Sequence, residues 1–300
     1  MKKTNLLILS ILISLFSFGQ IAPDKYYIQF TDKDNSPYSI ANPQEFLSQR
    51  AIDRRQKFNI DITEQDLPVN PQYLSGVEAI GVDLLNPTKW FNGVTIYTSN
   101  ASLVDDILAL PYVSEALKMT ENPNRINKSF FENEVVSNDE NASSLKSSNL
   151  INSLDYGFGF TQIDQLNGIG LHDDGFMGEG MLIAVLDAGF DNVDTHPLFD
   201  SLWANNQIIG VKDFVNPVNG DVFNAHYHGR AVLSCMAAYT EGQLIGTAPK
   251  ADYVLLRSED GATENIIEEY NWVSAAEMAD SIGADVINSS LSYVDFDMPE

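Results

Sequence analysis

Four short apolar segments in the second half of the chain constrain its fold more than any other feature. MLIAVLD (181–187), QIIGVKDF (207–214), DYVLLRS (252–258) and DVINSS (285–290) each have the length of a strand and are rich in aliphatic and β-branched residues. Such runs read as strands buried on both faces, as parallel strands are. Between them lie two helical stretches, HGRAVLSCMAAYT from His228 and TENIIEEYNWVSAAEMADSIG from Thr263. The second carries Ile266, Ile267, Tyr270, Val273, Ala276 and Ile282 along one side. Strands alternating with helices make a parallel sheet covered on both faces. Working residues of such sheets sit at the C-terminal ends of strands, which is where Asp187 falls.

The first half has a different grammar. KYYIQFT (25–31) reads as a strand, and PQEFLSQRAIDRRQKF as a helix starting at Pro43. VEAIGVDLL (77–85) alternates as a strand closed by Asn86-Pro87, and KWFNGVTIYT (89–98) is another strand, irregular at Gly93. SLVDDILAL (102–110) is a short helix stopped by Pro111, and YVSEALKM (112–119) is a final strand. The order βαββαβ predicts a small two-layer α+β module. From Glu121 to about Asp155 the chain is rich in Asn and Ser with no sustained period, which reads as a linker. The expected organisation is therefore a leader over 1–19, a first module over 20–120, a linker over 121–155 and an α/β module over 156–300.

The leader assignment rests on Lys2 and Lys3, an apolar run from Leu6 to Phe18, and small Ser17 and Gly19 ahead of a cut before Gln20. That is the pattern of a secretory signal peptide, with an uncleaved anchor as the competing reading. It places the protein outside the cell or in the envelope, with no membrane span once the leader is removed. A formal net charge of -25 repels phosphate backbones and argues against nucleic acid as a partner. The single cysteine, Cys235, rules out a disulfide within the chain and reads as a buried small hydrophobe on the helix after His228.

Two residues carry the chemistry. Asp187 ends a buried strand, so its carboxylate needs a partner, and Ala188-Gly189 permits a tight turn beside it. His228 opens a helix, where the dipole disfavours a protonated ring and so suits a neutral general base. Gly229 leaves room for a close approach by another chain or a substrate. An acid that fixes the tautomer of a histidine base is two-thirds of a nucleophilic triad. The alternative is a metal site from His226, His228 and Asp187. His196, before Pro197, reads as structural, and His172 as a solvated loop residue. Glu259, Asp260, Glu264, Glu268 and Glu269 form an acidic group that suits either a solvated face or a preference for basic substrates.

These blocks resemble the subtilisin-like serine proteases, or subtilases. LIAVLDAGF is similar to that family's aspartate motif, HGRAVLSCMAA to its histidine helix, and IGTAPKADYVLLRS to the turn and strand that follow. WVSAAEMADSIGADVINSSLS resembles the next helix and the substrate-lining strand, and residues 91–117 resemble the closing half of the family's propeptide. The resemblance implies Asp187 and His228 as catalytic residues and Ser289, Ser290, Leu291 and Ser292 as the strand that binds substrate backbone. It further implies protein or peptide substrates, and the chain's own propeptide as folding aid and intramolecular inhibitor. No cofactor is expected, although the family often binds calcium and no ligands for it are identifiable here. The sequence departs from the family at Ala188, Arg230, Ala231, Leu233-Ser234 and Ser292. None of the three serines is assigned as nucleophile, so the expectation is a serine endopeptidase zymogen cut before its serine and inactive alone. A secreted inactive homologue that binds peptides without cutting them is the alternative.

Overall fold

The computed structural model describes residues 24–119, 154–261 and 265–292. The leader, nearly all of the Asn/Ser-rich linker and Glu264 lie outside the described residues.

The first module contains β1 (Lys25–Phe30), α1 (Gln49–Phe58), α2 (Pro71–Glu78), β2 (Asp83–Thr88), β3 (Gly93–Tyr97), α3 (Ser102–Leu108) and β4 (Val113–Lys118). Its strands form one antiparallel sheet in the order β2-β3-β1-β4, so the expected α+β sheet is present. Two local expectations are corrected. The helix predicted from Pro43 is only a 3₁₀ turn over Pro43–Glu45, and α1 starts afresh at Ser48, whose hydroxyl accepts from Ala51 N–H at 3.0 Å. The strand predicted from Val77 begins at Asp83, because Val77 and Glu78 finish α2 instead. Asn70 caps α2 by accepting from Gln72 N–H, with Pro71 in the first helical position. Pro87 does not end β2, since β2 is an edge strand and its register shifts between Leu84 and Pro87.

The second module contains α4 (Phe160–Asp164), α5 (Gly168–Asp173), β5 (Leu182–Asp187), α6 (Asp200–Ala204), β6 (Ile208–Asp213) and α7 (His228–Ala237). A small hairpin of β7 (Tyr239–Thr240) and β8 (Leu244–Ile245) follows, then β9 (Asp252–Arg257), α8 (Ile266–Ile282) and β10 (Val286–Ser289). The four apolar runs form a parallel sheet in the order β10-β5-β9-β6, but only β5 and β9 are buried as expected, since the edge strands β6 and β10 leave Ile209, Val211, Val286 and Ile287 exposed. The pleat sorts its residues into two cores. Ile183, Val185, Tyr253 and Leu255 face α7 through Leu233 and Ala237. Leu182, Ala184, Leu186, Val254 and Leu256 face α8 through Ala275, Ala276 and Ala279.

On its other side α8 meets the first module's sheet. Tyr27 packs on Ile267 and Tyr270, and the Asn86 amide donates to Asn271 Oδ1 at 3.0 Å. Glu277 accepts the backbone N–H groups of Lys89 and Trp90 at 2.7 and 2.9 Å. One helix therefore lies between the two sheets.

Two side chains sit elsewhere than expected. Cys235 is exposed, not buried. The core face of α7 is set by Leu233 and Ala237, and Cys235 lies about 200° around the helix from Leu233. His172 is buried at 7% exposure, with Nδ1 2.8 Å from the Tyr156 hydroxyl and Nε2 3.0 Å from the Thr247 carbonyl. A carbonyl only accepts, so Nε2 carries the proton and Nδ1 accepts from Tyr156.

Candidate active site

The alternation that sorts the core also aims the acid. Asp187 continues the register of Ile183 and Val185, so its side chain emerges on the α7 side of the sheet. It is fully buried, and its Oδ1 meets the Ala188 N–H at 2.7 Å and His228 Nδ1 at 2.8 Å. Oδ2 is buried with no hydrogen-bond partner. Ala188, which stands where the family usually carries a hydroxyl, brings no side-chain donor to it. His228 is the first residue of α7, and its backbone N–H donates to His226 Nδ1 at 3.2 Å.

Two glycines make this approach feasible. A Cβ on Gly229 would lie 2.3 Å from the Gly189 carbonyl oxygen and 2.9 Å from Asp187 Cβ. Gly189 has φ of 152°, and a Cβ there would lie 2.3 Å from the His226 nitrogen. The space expected at Gly229 for another chain or a substrate is thus taken by this chain's own turn after β5. Arg230, a departure from the family pattern, ties the two elements together by donating to the Asp191 carbonyl at 2.9 Å and its carboxylate at 3.2 Å.

The sequence reading passed over Arg257. It is the register partner of Asp187 on β9, and its Nε donates to the Ala188 carbonyl at 3.0 Å. The same guanidinium donates to Asp213 Oδ2 at 3.0 Å, and Ser258 N–H donates to the Asp187 carbonyl at 3.0 Å. The signal was available: a lone cation closes the strand DYVLLR directly after the apolar run Tyr253–Leu256.

The four residues expected to line a substrate strand lie at the end of β10, beside the end of β5, with Ser289 opposite Leu186. Ser289 Oγ accepts from Trp272 Nε1 at 2.9 Å, and Ser290 is exposed. Leu291 lines a cavity of about 610 Å³ together with Phe91, Glu269, Tyr270, Trp272 and Val273. Ser292 is half-buried just beyond.

The metal reading finds no support in the arrangement. His228 Nδ1 is committed to Asp187, and the His226 and His228 rings are 6.5 Å apart. Among the described residues no group of three His, Cys, Asp or Glu is placed to hold a metal ion.

Two members of the acidic group do not lie on a solvated face, since Glu259 and Glu268 are 4% and 2% exposed. Burial, reinforced by the charge of Glu259, pushes the Glu268 carboxyl up to about 9. It is neutral at physiological pH and offers no charge to a basic substrate. An unfolded glutamate releases its proton near 4.5, so the folded state holds a proton that the unfolded state has lost between these limits. Stability therefore falls as pH rises through this window, by up to about 1.4 kcal/mol per pH unit from this group. Urea titrations across the window are expected to show that slope flattened in Glu268→Gln. Equal slopes in both proteins would refute the assignment.

Comparison with known proteins agrees with this architecture. Residues 25–147 match the family model of the peptidase S8 propeptide domain of Bacteroidota, and residues 178–297 match that of the subtilase family. Subtilisin E of Bacillus subtilis and subtilisin NAT of its natto subspecies are each 28% identical over 131 residues, covering 43% of this chain. The match spans only 31% of the length of each of these relatives. A serine protease of Staphylococcus aureus that processes the epidermin leader peptide aligns with a TM-score of 0.48 and 13% identity, over 89% of this chain and 50% of that one. With a match to the subtilase family over 178–297 and to the peptidase S8 propeptide domain over 25–147, the chain is similar to a subtilisin-like protease preceded by its propeptide.

Proposed function

We propose that the protein is a secreted serine endopeptidase made as a zymogen, in which Asp187 and His228 are the acid and base of an Asp-His-Ser triad. The observation that carries this reading is the 2.8 Å contact between His228 Nδ1 and the fully buried Asp187. A buried carboxylate at that distance holds the proton on Nδ1. The other ring nitrogen is then free of a proton and able to take one from a hydroxyl nucleophile. Asp187 stabilises the imidazolium formed in that step, and Arg257 and Arg230 keep the turn after β5 in place while it happens.

The nucleophile is a serine from outside the residues described. Ser289 already accepts a hydrogen bond from Trp272, and Ser289 to Ser292 take the role of pairing with an extended substrate backbone. The first module, seated on α8, is the intramolecular inhibitor, and the leader directs secretion.

The test is labelling of the full-length protein by a serine-directed phosphonate. Labelling is expected, with its loss in His228→Ala and no effect of chelators. Peptide binding without labelling would instead mark an inactive homologue. Activity abolished by chelators without labelling would mark a metal hydrolase.

A further inference from the structure

The proposed chemistry leaves His226 unused, yet three parts of the second module converge on it. Its carbonyl accepts from the Asp191 N–H at 3.2 Å, in the turn after β5, and a Cβ on Gly189 in that turn would lie 2.3 Å from its backbone nitrogen. A Cβ on Gly261, in the loop after β9, would lie 2.9 Å from its ring atoms Cγ and Cδ2. The third part is the start of α7, whose His228 N–H donates to His226 Nδ1 at 3.2 Å. The ring is half-buried and leans on Tyr227, with centroids 4.6 Å apart.

The first N–H groups of a helix have no partner within it, and a side-chain acceptor at the helix start commonly takes one of them. In α7 the N-cap residue is Tyr227, whose side chain makes no such bond. His226, one residue earlier, supplies the acceptor instead. A backbone N–H only donates, so Nδ1 of His226 is unprotonated and the ring carries its proton on Nε2.

The bond matters because of the residue it holds. His228 is the first residue of α7, and helix ends fray. Its Nδ1 nonetheless stands 2.8 Å from Asp187. Asp187 is fixed by the sheet, through its pairing with Arg257 and through the Ser258 N–H on its carbonyl. The histidine has no strand behind it, so the place of its ring depends on how firmly the first turn of α7 is held.

We propose that His226 is a positioning residue: its Nδ1 caps the first N–H of α7 and so fixes the backbone from which the His228 ring reaches Asp187. The His-x-His pattern then serves helix capping and proton transfer, one histidine for each, rather than a metal. The inference deepens the triad reading and rests on it only for the effect on hydrolysis.

The structural arm of the test uses the 300-residue chain and needs no peptidase activity. Nitrogen NMR in mildly alkaline solution is expected to show His226 Nδ1 without a proton, and a proton there overturns the proposal. His226→Phe keeps a ring and loses the acceptor, so exchange of the His228 N–H is expected to speed up about tenfold or more. His226→Asn sets an amide oxygen close to where Nδ1 was and is expected to keep that protection. Residues 252–257 serve as the folding control, and His226→Ala makes the same comparison should the Phe variant lose protection there. In the full-length protein, His226→Phe is expected to lower kcat about tenfold or more with KM nearly unchanged, because a small misplacement of a catalytic group is costly. His226→Asn is expected to keep most of the rate. Unchanged exchange in the folded Phe variant, or an Asn variant as impaired as the Phe variant, overturns the proposal. A full-length parent that hydrolyses nothing would sink the triad reading, while the structural arm would still decide whether His226 holds His228.

Discussion

Asp187→Asn in the full-length protein is expected to lower kcat for peptide hydrolysis by about 10⁴ while the fold survives. The carboxylate is wholly buried and touches His228 Nδ1 at 2.8 Å. An asparagine amide at that position can donate where the carboxylate only accepted. It would then hold the imidazole with its proton on the other nitrogen, and that tautomer takes no proton from a hydroxyl. Substrate binding, which the reading assigns to residues 289–292, should change little, so the loss falls on kcat rather than KM. His228→Ala is expected to match it, and the double variant to lose little more, since the two residues act as one unit. Steady-state kinetics on a chromogenic peptide decides the matter. A loss below tenfold in either single variant would remove the pair from the mechanism.

Gly229→Ala should be among the most damaging small substitutions in the second module. Its methyl would sit 2.3 Å from the Gly189 carbonyl oxygen and 2.9 Å from Asp187 Cβ, both belonging to the turn that the site is built from. Neither atom is the loose end of a side chain, so either α7 or the turn must move. Overpacking of this kind costs about 1–3 kcal/mol, and occasionally more. The shift would also lengthen the Asp187–His228 contact, so activity should fall with stability. Gly175→Ala is a control: its added Cβ meets nothing within 4 Å, although its φ of 90° carries a backbone penalty. Denaturant midpoints of the two variants compare the effects. A Gly229→Ala protein as stable as the parent would show that the turn yields without strain.

The sequence carried the architecture where local signals agree with tertiary demand. The four apolar runs became the four parallel strands, and the two inner ones, β5 and β9, are apolar because burial on both faces leaves a strand little freedom to be anything else. It was less informative where a proline or a capping residue had to be weighed against its surroundings. Asn70-Pro71 is a helix start visible in the sequence, yet the alternation of VEAIGVDLL outweighed it and hid the end of α2. Pro87 reads as a breaker until β2 is known to be an edge strand.

For the site, residue type and placement alone singled out Asp187 and His228. A carboxylate ending a buried strand and a histidine starting a helix both need an explanation wherever they occur. Only the tertiary structure decided that the two meet, which depends on the pleat aiming Asp187 toward α7 and on Gly189 and Gly229 letting the backbones close. It also decided the burial of Glu268 and His172, the exposure of Cys235, and the role of Arg257 beside Asp187. These depend on what other elements bring to each side chain. A pattern along one segment records the face that segment must bury, but not the neighbour that will cover it.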